Sequence, residues 1–267
     1  GENKKLDRIF GFLSALAFFL IIIFTDSRAG FIAFIVSMVI LFLSLRKKLR
    51  VLAIAFCAIL LILPLLPQSY LDRMSTISDG INFAKSEDGS EEEIKDKSSA
   101  SRVILWGIAF DIFKDNPIVG VGNLNFARAS FDNRFKYENK IGPEMFSYIY
   151  SPSGTLVAHN MYFDILAEGG LLTALFFYAL LLLPLWRTRY VLTIMKDVEH
   201  TRTERLKHLL IFIRAGYIGW LVTAFFSNAR LIEFAYWVMT LIIILTYKFE
   251  EFIQEEYKSN RQIEQVS

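Results

Sequence analysis

The tripeptide Ala158-His159-Asn160 closes a long polar segment, just before the chain becomes hydrophobic again. His159 is one of three histidines in the sequence. An imidazole with an ordinary pKa near ~6.5 can accept a proton at neutral pH, as activation of a hydroxyl nucleophile requires. The alternative is a histidine that caps a helix or hydrogen-bonds at a wet surface, and Asn160 is equally a strong helix N-cap. His159 is therefore the candidate general base, and Asn160 a candidate substrate-binding residue.

Arginines in short polar segments offer a second kind of chemistry. Arg28 lies in the turn Asp26-Ser27-Arg28-Ala29-Gly30, Arg230 ends Ser227-Asn228-Ala229-Arg230, and Arg102 begins an apolar stretch of the long polar segment. Guanidinium groups bind phosphate oxygens bidentately and stay charged at any relevant pH. Two or three of them facing one hydrated pocket would form a pyrophosphate site. For Arg28 the alternative is an interfacial arginine that is paired with Asp26 and extends its apolar stem along the membrane.

Two acids follow His159 at helical spacing. Asp164 and Glu168 are four residues apart, so they share one face of a helix. They can orient the imidazole, or they can simply suit the positive end of the helix dipole. We favour the second role for Asp164 and keep Glu168, with Arg230, as a candidate substrate-binding residue.

The sequence gives little reason to expect a metal or another cofactor. It has no Asp-x-Asp, no His/Cys pair at ligand spacing and no carboxylate cluster in a segment expected to be ordered. The acidic run 87–96 is too polar to hold its carboxylates around an octahedral ion. Gly120-x-Gly122 is not a phosphate-binding loop, because it follows a helical pattern and lacks the third glycine and its acidic partner. We expect a plain turn there.

The composition indicates an integral membrane protein. Of 267 residues 54% are hydrophobic, and the mean hydropathy is +0.40, too apolar for an ordinary soluble domain. A helix needs about 20 residues to cross the hydrocarbon core. Six runs are long enough or nearly so: 9–25, 30–45, 49–66, 171–186, 208–226 and 234–247. We predict an all-α protein with three transmembrane helices in 1–67 and three in 169–247. The net charge of +2 gives no reason to expect a nucleic-acid partner.

Lysines and arginines in the short connections predict the orientation, because cytoplasmic loops retain positive charge. They cluster before the first run, between the second and third, and between the fourth and fifth. These connections and the tail 248–267 are thus predicted to be cytoplasmic. The long segment 68–168 and the turns that carry Arg28 and Arg230 are then external, so three distant parts of the chain can converge on one site.

The external segment is not uniform. Residues 85–101 are acidic and polar, and we expect a mobile insertion there because so little apolar area can be buried. An apolar helix is predicted over 102–114, interrupted at Gly107 and ended by Asn116-Pro117. Residues 160–168 are predicted to form a helix that continues into the fourth span.

The external segment and its flanks also carry a series of short motifs, namely Asp26-Ser27-Arg28-Ala29-Gly30, Ser101-Arg102 with Trp106, Asn116-Pro117-x-x-Gly120-x-Gly122, and His159-Asn160 followed by Glu168-x-Gly170. In their order, spacing and sidedness, over about residues 26–170, the chain resembles the O-antigen ligase and polymerase superfamily. Members of that superfamily act on polyprenyl-diphosphate-linked glycans at the outer face of the bacterial inner membrane, without a nucleotide sugar or a required metal. They usually have twice as many spans, so this chain would correspond to the C-terminal half.

The resemblance implies that Arg28 and Arg102 bind the diphosphate and that His159 is the base, which agrees with the chemistry expected from the residues themselves. The acceptor hydroxyl would belong to a lipid A core, a glycan or a protein. Ligation and polymerisation differ only in the acceptor, and the sequence does not separate them. A membrane transporter or lipid-glycan flippase subunit is the alternative, and it would require charges or broken helices near the middle of the bilayer.

Overall fold

The structure, a computed structural model, describes residues 2–25, 27–44, 97–151, 156–195 and 201–266. Within these ranges the regular elements are all helical. They are α1 (Glu2–Phe24), α2 (Arg28–Ser44), α3 (Lys97–Asp115), α4 (Phe126–Asp132), α5 (Phe135–Glu138), α6 (Pro143–Ile149), α7 (Met161–Ile194), α8 (Thr201–Ala224), a 3-10 turn (Ala229–Leu231) and α9 (Glu233–Val266). The chain divides into two compact units, Gly1–Val103 and Ile104–Ser267.

In the first unit, α1 and α2 form a helical pair at the first two predicted spans. The rings of Phe19 and Phe34 pack with their centroids 5.4 Å apart. Ser27 caps α2, because its hydroxyl accepts a hydrogen bond from the Gly30 N–H at 3.1 Å. The predicted third span, 49–66, and residues 85–96 of the predicted insertion lie outside the described residues.

Helix α3 corrects two expectations. It begins at Lys97, so residues 97–101 are helical and the prediction that they belong to a mobile insertion is wrong. Ala100 and Ser101 are buried, and the Ser101 hydroxyl donates to the Ser98 carbonyl at 3.0 Å. Small residues can thus pack in a helix although their composition is polar. The predicted interruption at Gly107 is also wrong: the helix is continuous there, and the glycine faces open space.

The short helices α4, α5 and α6 follow α3, and polar contacts tie α5 to it. The Tyr137 hydroxyl donates to Asp111 at 3.1 Å, and Lys114 pairs with the same carboxylate at 2.7 Å. Partial burial would raise the pKa of Asp111, but the hydrogen bonds from Lys114 and Tyr137 outweigh it and hold that pKa below its usual value. Burial raises the pKa of Tyr150, the residue that follows α6.

Three long helices form the core of the second unit. Helix α7 packs against α8 and α9, which themselves touch. Their shared core consists of Met161, Ile165, Ala174, Leu181, Tyr217, Ala224, Ala229, Met239 and Ile242. The fourth and sixth predicted spans lie within α7 and α9, and the fifth, 208–226, extends just past the end of α8 at Ala224. By length and composition α7 and residues 203–224 of α8 can cross a membrane, while 9–24 and 28–44 are shorter apolar helices. Among the described residues two to four helices therefore qualify as spans, and six are not established.

A belt of aromatic residues surrounds a buried ion pair between α7 and α9. Arg187 Nη2 lies 2.7 Å from Glu250 Oε2, and the guanidinium carbon is 3.9 Å from the centroid of the Tyr247 ring. Trp186, Tyr190 and Tyr247 are all exposed around this pair. Exposed Trp and Tyr at one level of an apolar helix bundle are typical of a membrane–water interface. Past the belt, α7, α8 and α9 share a second small apolar cluster.

Candidate active site

His159 lies immediately before helix α7, and its backbone conformation is unusual. Its φ is +50°, in the left-handed region that few residues other than glycine adopt, although Asn, Asp and His are enriched there. The side chain is half-buried. The backbone conformation fixes where the imidazole leaves the chain at the start of the helix.

Asn160 caps α7 and is completely buried. Its Oδ1 accepts hydrogen bonds from the N–H groups of Tyr162 at 2.9 Å and Phe163 at 3.1 Å. These are two of the N–H groups that a helix leaves without internal partners. The amide Nδ2 is buried and has no hydrogen-bond partner among the described residues. Asn160 therefore holds the turn that carries His159, while its amide NH2 group stays unused by those residues.

Aromatic packing secures the first part of α7 behind His159. Trp106 of α3 stacks on Phe163 with 6.2 Å between ring centroids, and it meets the edge of Phe225 at 5.1 Å. The Tyr162 hydroxyl donates to the Leu221 carbonyl of α8 at 2.8 Å, and the Tyr178 hydroxyl donates to the Tyr162 carbonyl at 2.7 Å. The helix start is thus attached to α3 and α8 as well as to its own later turns.

Helix α7 is broken at Gly170, where φ is +63° and ψ is −169°. In a continuous helix the N–H groups of Leu171 and Leu172 would bond to the carbonyls of Ala167 and Glu168. Here the Leu171 N–H donates to Pro117 at 2.8 Å and the Leu172 N–H to Ile118 at 3.2 Å.

The same loop satisfies the carbonyls on the other side of the break. The Val121 N–H donates to Ala167 at 3.1 Å, and the Gly122 N–H donates to Glu168 at 2.8 Å. Two absent helical hydrogen bonds are thus replaced by four to the loop that joins α3 to α4. The turn predicted at Gly120-x-Gly122 is present, and the structure adds that it is inserted into the break of a long helix.

Glycine is required on both sides of this insertion. A Cβ added to Gly120, whose φ is +65°, would lie 2.3 Å from the carbonyl carbon of Glu168. A Cβ added to Gly170 would lie 2.4 Å from the carbonyl carbon of Ile118. In both cases the obstacle is backbone, which cannot rotate away as a side chain can.

Glu168 connects three parts of the second unit. Its carboxylate accepts from the Leu124 N–H at 2.7 Å and the Phe126 N–H at 2.9 Å, so it also binds the first turn of α4. Arg230 Nη2 lies 2.7 Å from Glu168 Oε2 and 3.0 Å from Asp164 Oδ2. All three side chains of this Asp164–Glu168–Arg230 cluster are at most 13% exposed. Asp164, for which we favoured a role at the helix dipole, is a partner of Arg230.

The two remaining arginines belong to the first unit. Arg28 is the first residue of α2 and follows the Ser27 cap directly. Arg102 lies in the second turn of α3, next to the buried Ser101. Both side chains are half-buried. Among the described residues no group of three or more His, Cys, Asp or Glu could hold a metal ion.

Comparison with family models gives a match over residues 13–178 to Wzy_C, described as O-antigen ligase. That match covers more than half of the chain. The chain belongs to the O-antigen ligase family. It is therefore a membrane protein of an enzyme family that uses lipid-linked sugar donors. No curated protein matches the chain.

In this O-antigen ligase family chain the matched residues include Arg28, Arg102, His159 and the break at Gly170, whereas Arg230 lies C-terminal to them. The structure brings Glu168 and Arg230 together and makes Asn160 the cap next to His159. Sequence reasoning missed the pairing of Asp164 with Arg230 and the docking of the glycine loop. The Glu168-x-Gly170 and Gly120-x-Gly122 motifs were the available signal for the second.

Proposed function

We propose that this protein is a glycosyltransferase that moves a glycan from a polyprenyl-diphosphate donor to an acceptor hydroxyl. His159 acts as the general base, and Arg28 and Arg102 bind the diphosphate. The observation that carries the proposal is the match to the O-antigen ligase family over residues 13–178, which includes all three residues. The rigid setting of His159, ahead of a buried cap and an anchored helix, supports its choice as the base.

The reaction is a single displacement. The acceptor oxygen attacks the anomeric carbon while His159 takes its proton, and the bond from that carbon to the diphosphate oxygen breaks. The diphosphate leaves with the bonding electron pair, so negative charge develops on its oxygens. Arginines in place beforehand stabilise that charge in the transition state without a metal. Attack from the side opposite the leaving group inverts the anomeric configuration.

The other candidate residues position the elements that carry this chemistry. Asn160 positions His159 through the cap, and a contact of its buried amide with the acceptor sugar stays a prediction. Glu168 and Arg230 hold the loop that fills the break in α7, and among the described residues Arg230 Nε has no hydrogen-bond partner. Substrate contact by Glu168 and Arg230 therefore stays a prediction. The acceptor is a hydroxyl of a lipid A core, a glycan or a protein, and the reaction takes place on the external face of the bacterial inner membrane.

The hydrogen bonds that fill the break in α7 favour this function over a transporter or flippase. A translocation path expects broken helices whose backbone groups remain open to the transported substrate. Helix α7 is broken, but the backbone groups that lose their helical partners at the break form hydrogen bonds with the α3–α4 loop. They belong to Ala167, Glu168, Leu171 and Leu172. A break that is filled by protein backbone fits a fixed catalytic surface better than a moving gate.

The deciding experiment compares His159→Ala with His208→Ala. His208 is the matched control, because it is an exposed histidine on α8 that has no part in the proposed site. We expect His159→Ala to lower transfer by about 10²- to 10⁴-fold, as loss of a general base does, while purified, folded protein still binds the donor. His208→Ala should transfer normally.

The readout is transfer as a function of pH, with donor binding and thermal unfolding measured separately. Normal turnover by His159→Ala would rule out the base, and so would a defect explained entirely by lost folding or donor binding. The protein is used in vesicles with a lipid-linked glycan donor and a hydroxyl acceptor.

A further inference from the structure

The loop that fills the break in α7 carries exposed apolar residues that no described part of the chain covers. Ile118 and Val119 are 71% and 67% exposed. They lie beside the first turns of the second half of α7, since the Ile118 carbonyl is bonded to the Leu172 N–H at 3.2 Å. On that part of α7 Leu171 is 61% and Leu175 63% exposed.

The depth of this loop follows from the aromatic belt at the other end of α7. Trp186, Arg187 and Tyr190 mark one interface, as described above. Gly170 is roughly 25 Å from Arg187 along the helix, at about 1.5 Å per residue. A hydrocarbon core is about 30 Å thick. The break therefore lies inside the core, close to its far boundary.

We propose that the loop Asn116–Leu124 dips into the bilayer, and that Ile118 and Val119 contact the acyl chains of the leaflet on its side. The Leu172–Ile118 hydrogen bond places these two exposed side chains next to the exposed apolar residues of α7. Gly122, at the level of Glu168, lies at the boundary, and Ile118, at the level of Leu172, lies about one turn deeper.

The exchange of hydrogen bonds at Gly170 is what permits this depth. Irregular backbone is tolerated within hydrocarbon only where its polar groups are paired, because an unpaired N–H or C=O there costs several kcal/mol. The loop and the broken helix satisfy each other through four hydrogen bonds. The charged Asp164–Glu168–Arg230 cluster begins at the level of the boundary and extends away from the core.

Fluorescence quenching in vesicles tests the loop's surroundings without reference to catalysis. The single cysteine, Cys57, is first replaced by alanine. A small environment-sensitive dye is then attached to Val119→Cys or Ile118→Cys. Leu175→Cys on α7 is the lipid-facing control. Arg128→Cys on α4, where the native side chain is 84% exposed, is the water-facing control.

We expect phosphatidylcholine with a nitroxide high on its acyl chain to quench the dye at Val119 and Ile118 several-fold more than at Arg128, approaching Leu175. Iodide in the buffer should quench chiefly the dye at Arg128. Strong iodide quenching at Val119 and Ile118 would mean that the loop is in water and would overturn the proposal. Protection from both quenchers would overturn it as well, because the side chains would then be covered by protein. Neither result depends on whether the protein transfers glycans.

Discussion

Individual residues around the helix break are set by backbone geometry more than by side-chain chemistry. Gly120 and Gly170 both have positive φ. A Cβ added to either glycine would clash with backbone of the segment that carries the other glycine. His159 also adopts a positive φ, but it retains a side chain that the proposed chemistry needs. Close approach of backbone accounts for the positive φ of the glycines, whereas for His159 we propose that it places the imidazole.

Gly170→Ala should lower the stability of the second unit. The positive φ alone costs about 1–3 kcal/mol, and the clash with Ile118 adds to that cost. Gly107→Ala is the matched control, because its Cβ meets nothing and alanine favours a helix by about 0.5–1 kcal/mol. Thermal unfolding of purified protein should show a lower midpoint for Gly170→Ala and an equal or higher one for Gly107→Ala. Equal midpoints for Gly170→Ala and the unchanged protein would mean that the loop is not docked as described.

The diphosphate-binding role of Arg28 and Arg102 also belongs to the residue scale. Arg28→Lys and Arg102→Lys keep the charge but lose the planar fork that binds two phosphate oxygens at once. We expect each to weaken donor binding and transfer by about tenfold or more, since a charge-assisted hydrogen bond contributes about 1.5–3 kcal/mol. Arg128→Lys, at an exposed site on α4, should have no effect. Near-normal transfer by both variants would leave charge or packing as the only role of these arginines.

At the scale of elements, α7 owes its position to partners distant in sequence. Its first half begins at the Asn160 cap, packs on Trp106 and ends at the loop from Pro117 to Gly122. Glu168 then joins that loop, α4 and the 3-10 turn through two backbone N–H groups and Arg230. The second half of α7 reaches the belt at Arg187 and its bond to α9.

Glu168→Ala should therefore be among the most destabilising single changes in this region. Among the described residues it leaves the Arg230 side chain paired with Asp164 alone and leaves the N–H groups of Leu124 and Phe126 without the acceptor they have now. Breaking a buried ion pair costs about 3–5 kcal/mol. Glu168→Gln keeps an acceptor and should be less harmful. Glu138→Ala, at an exposed position on α5, should change stability by less than about 0.5 kcal/mol. If Glu168→Ala unfolds like Glu138→Ala in a denaturant titration, the cluster does not hold the loop.

For the whole molecule, the asymmetry of basic residues predicts that α4 and the end of α7 at Arg187 lie on opposite sides of the membrane. In the Cys57→Ala background, Arg128→Cys on α4 should react with an impermeant thiol reagent in intact spheroplasts. Lys248→Cys on α9, where the native side chain is also exposed, should react only after lysis. Labelling of Lys248→Cys alone in intact cells would reverse the orientation and move the proposed site to the cytoplasm.

The sequence by itself determined the features that depend on short stretches of chain. Apolar runs and the Asn160 cap predicted helices at the described spans and the start of α7, because helix periodicity and capping are properties of neighbouring residues. The ordered motifs around Arg28, Arg102 and His159 indicated the family, and the family model confirms it. Polar composition misled at residues 97–101, where packing of small side chains outweighs it.

Only the tertiary structure decided how the parts of the second unit combine. The four hydrogen bonds at Gly170 and the contacts of Glu168 and Arg230 join residues that are far apart in the chain. Which loop supplies a donor to a given carbonyl depends on the approach of whole elements, and a single sequence carries no direct signal for it. Gly120-x-Gly122 and Glu168-x-Gly170 were each visible as motifs. The two motifs fit into one another through direct backbone contact, and only glycine at positions 120 and 170 allows that contact.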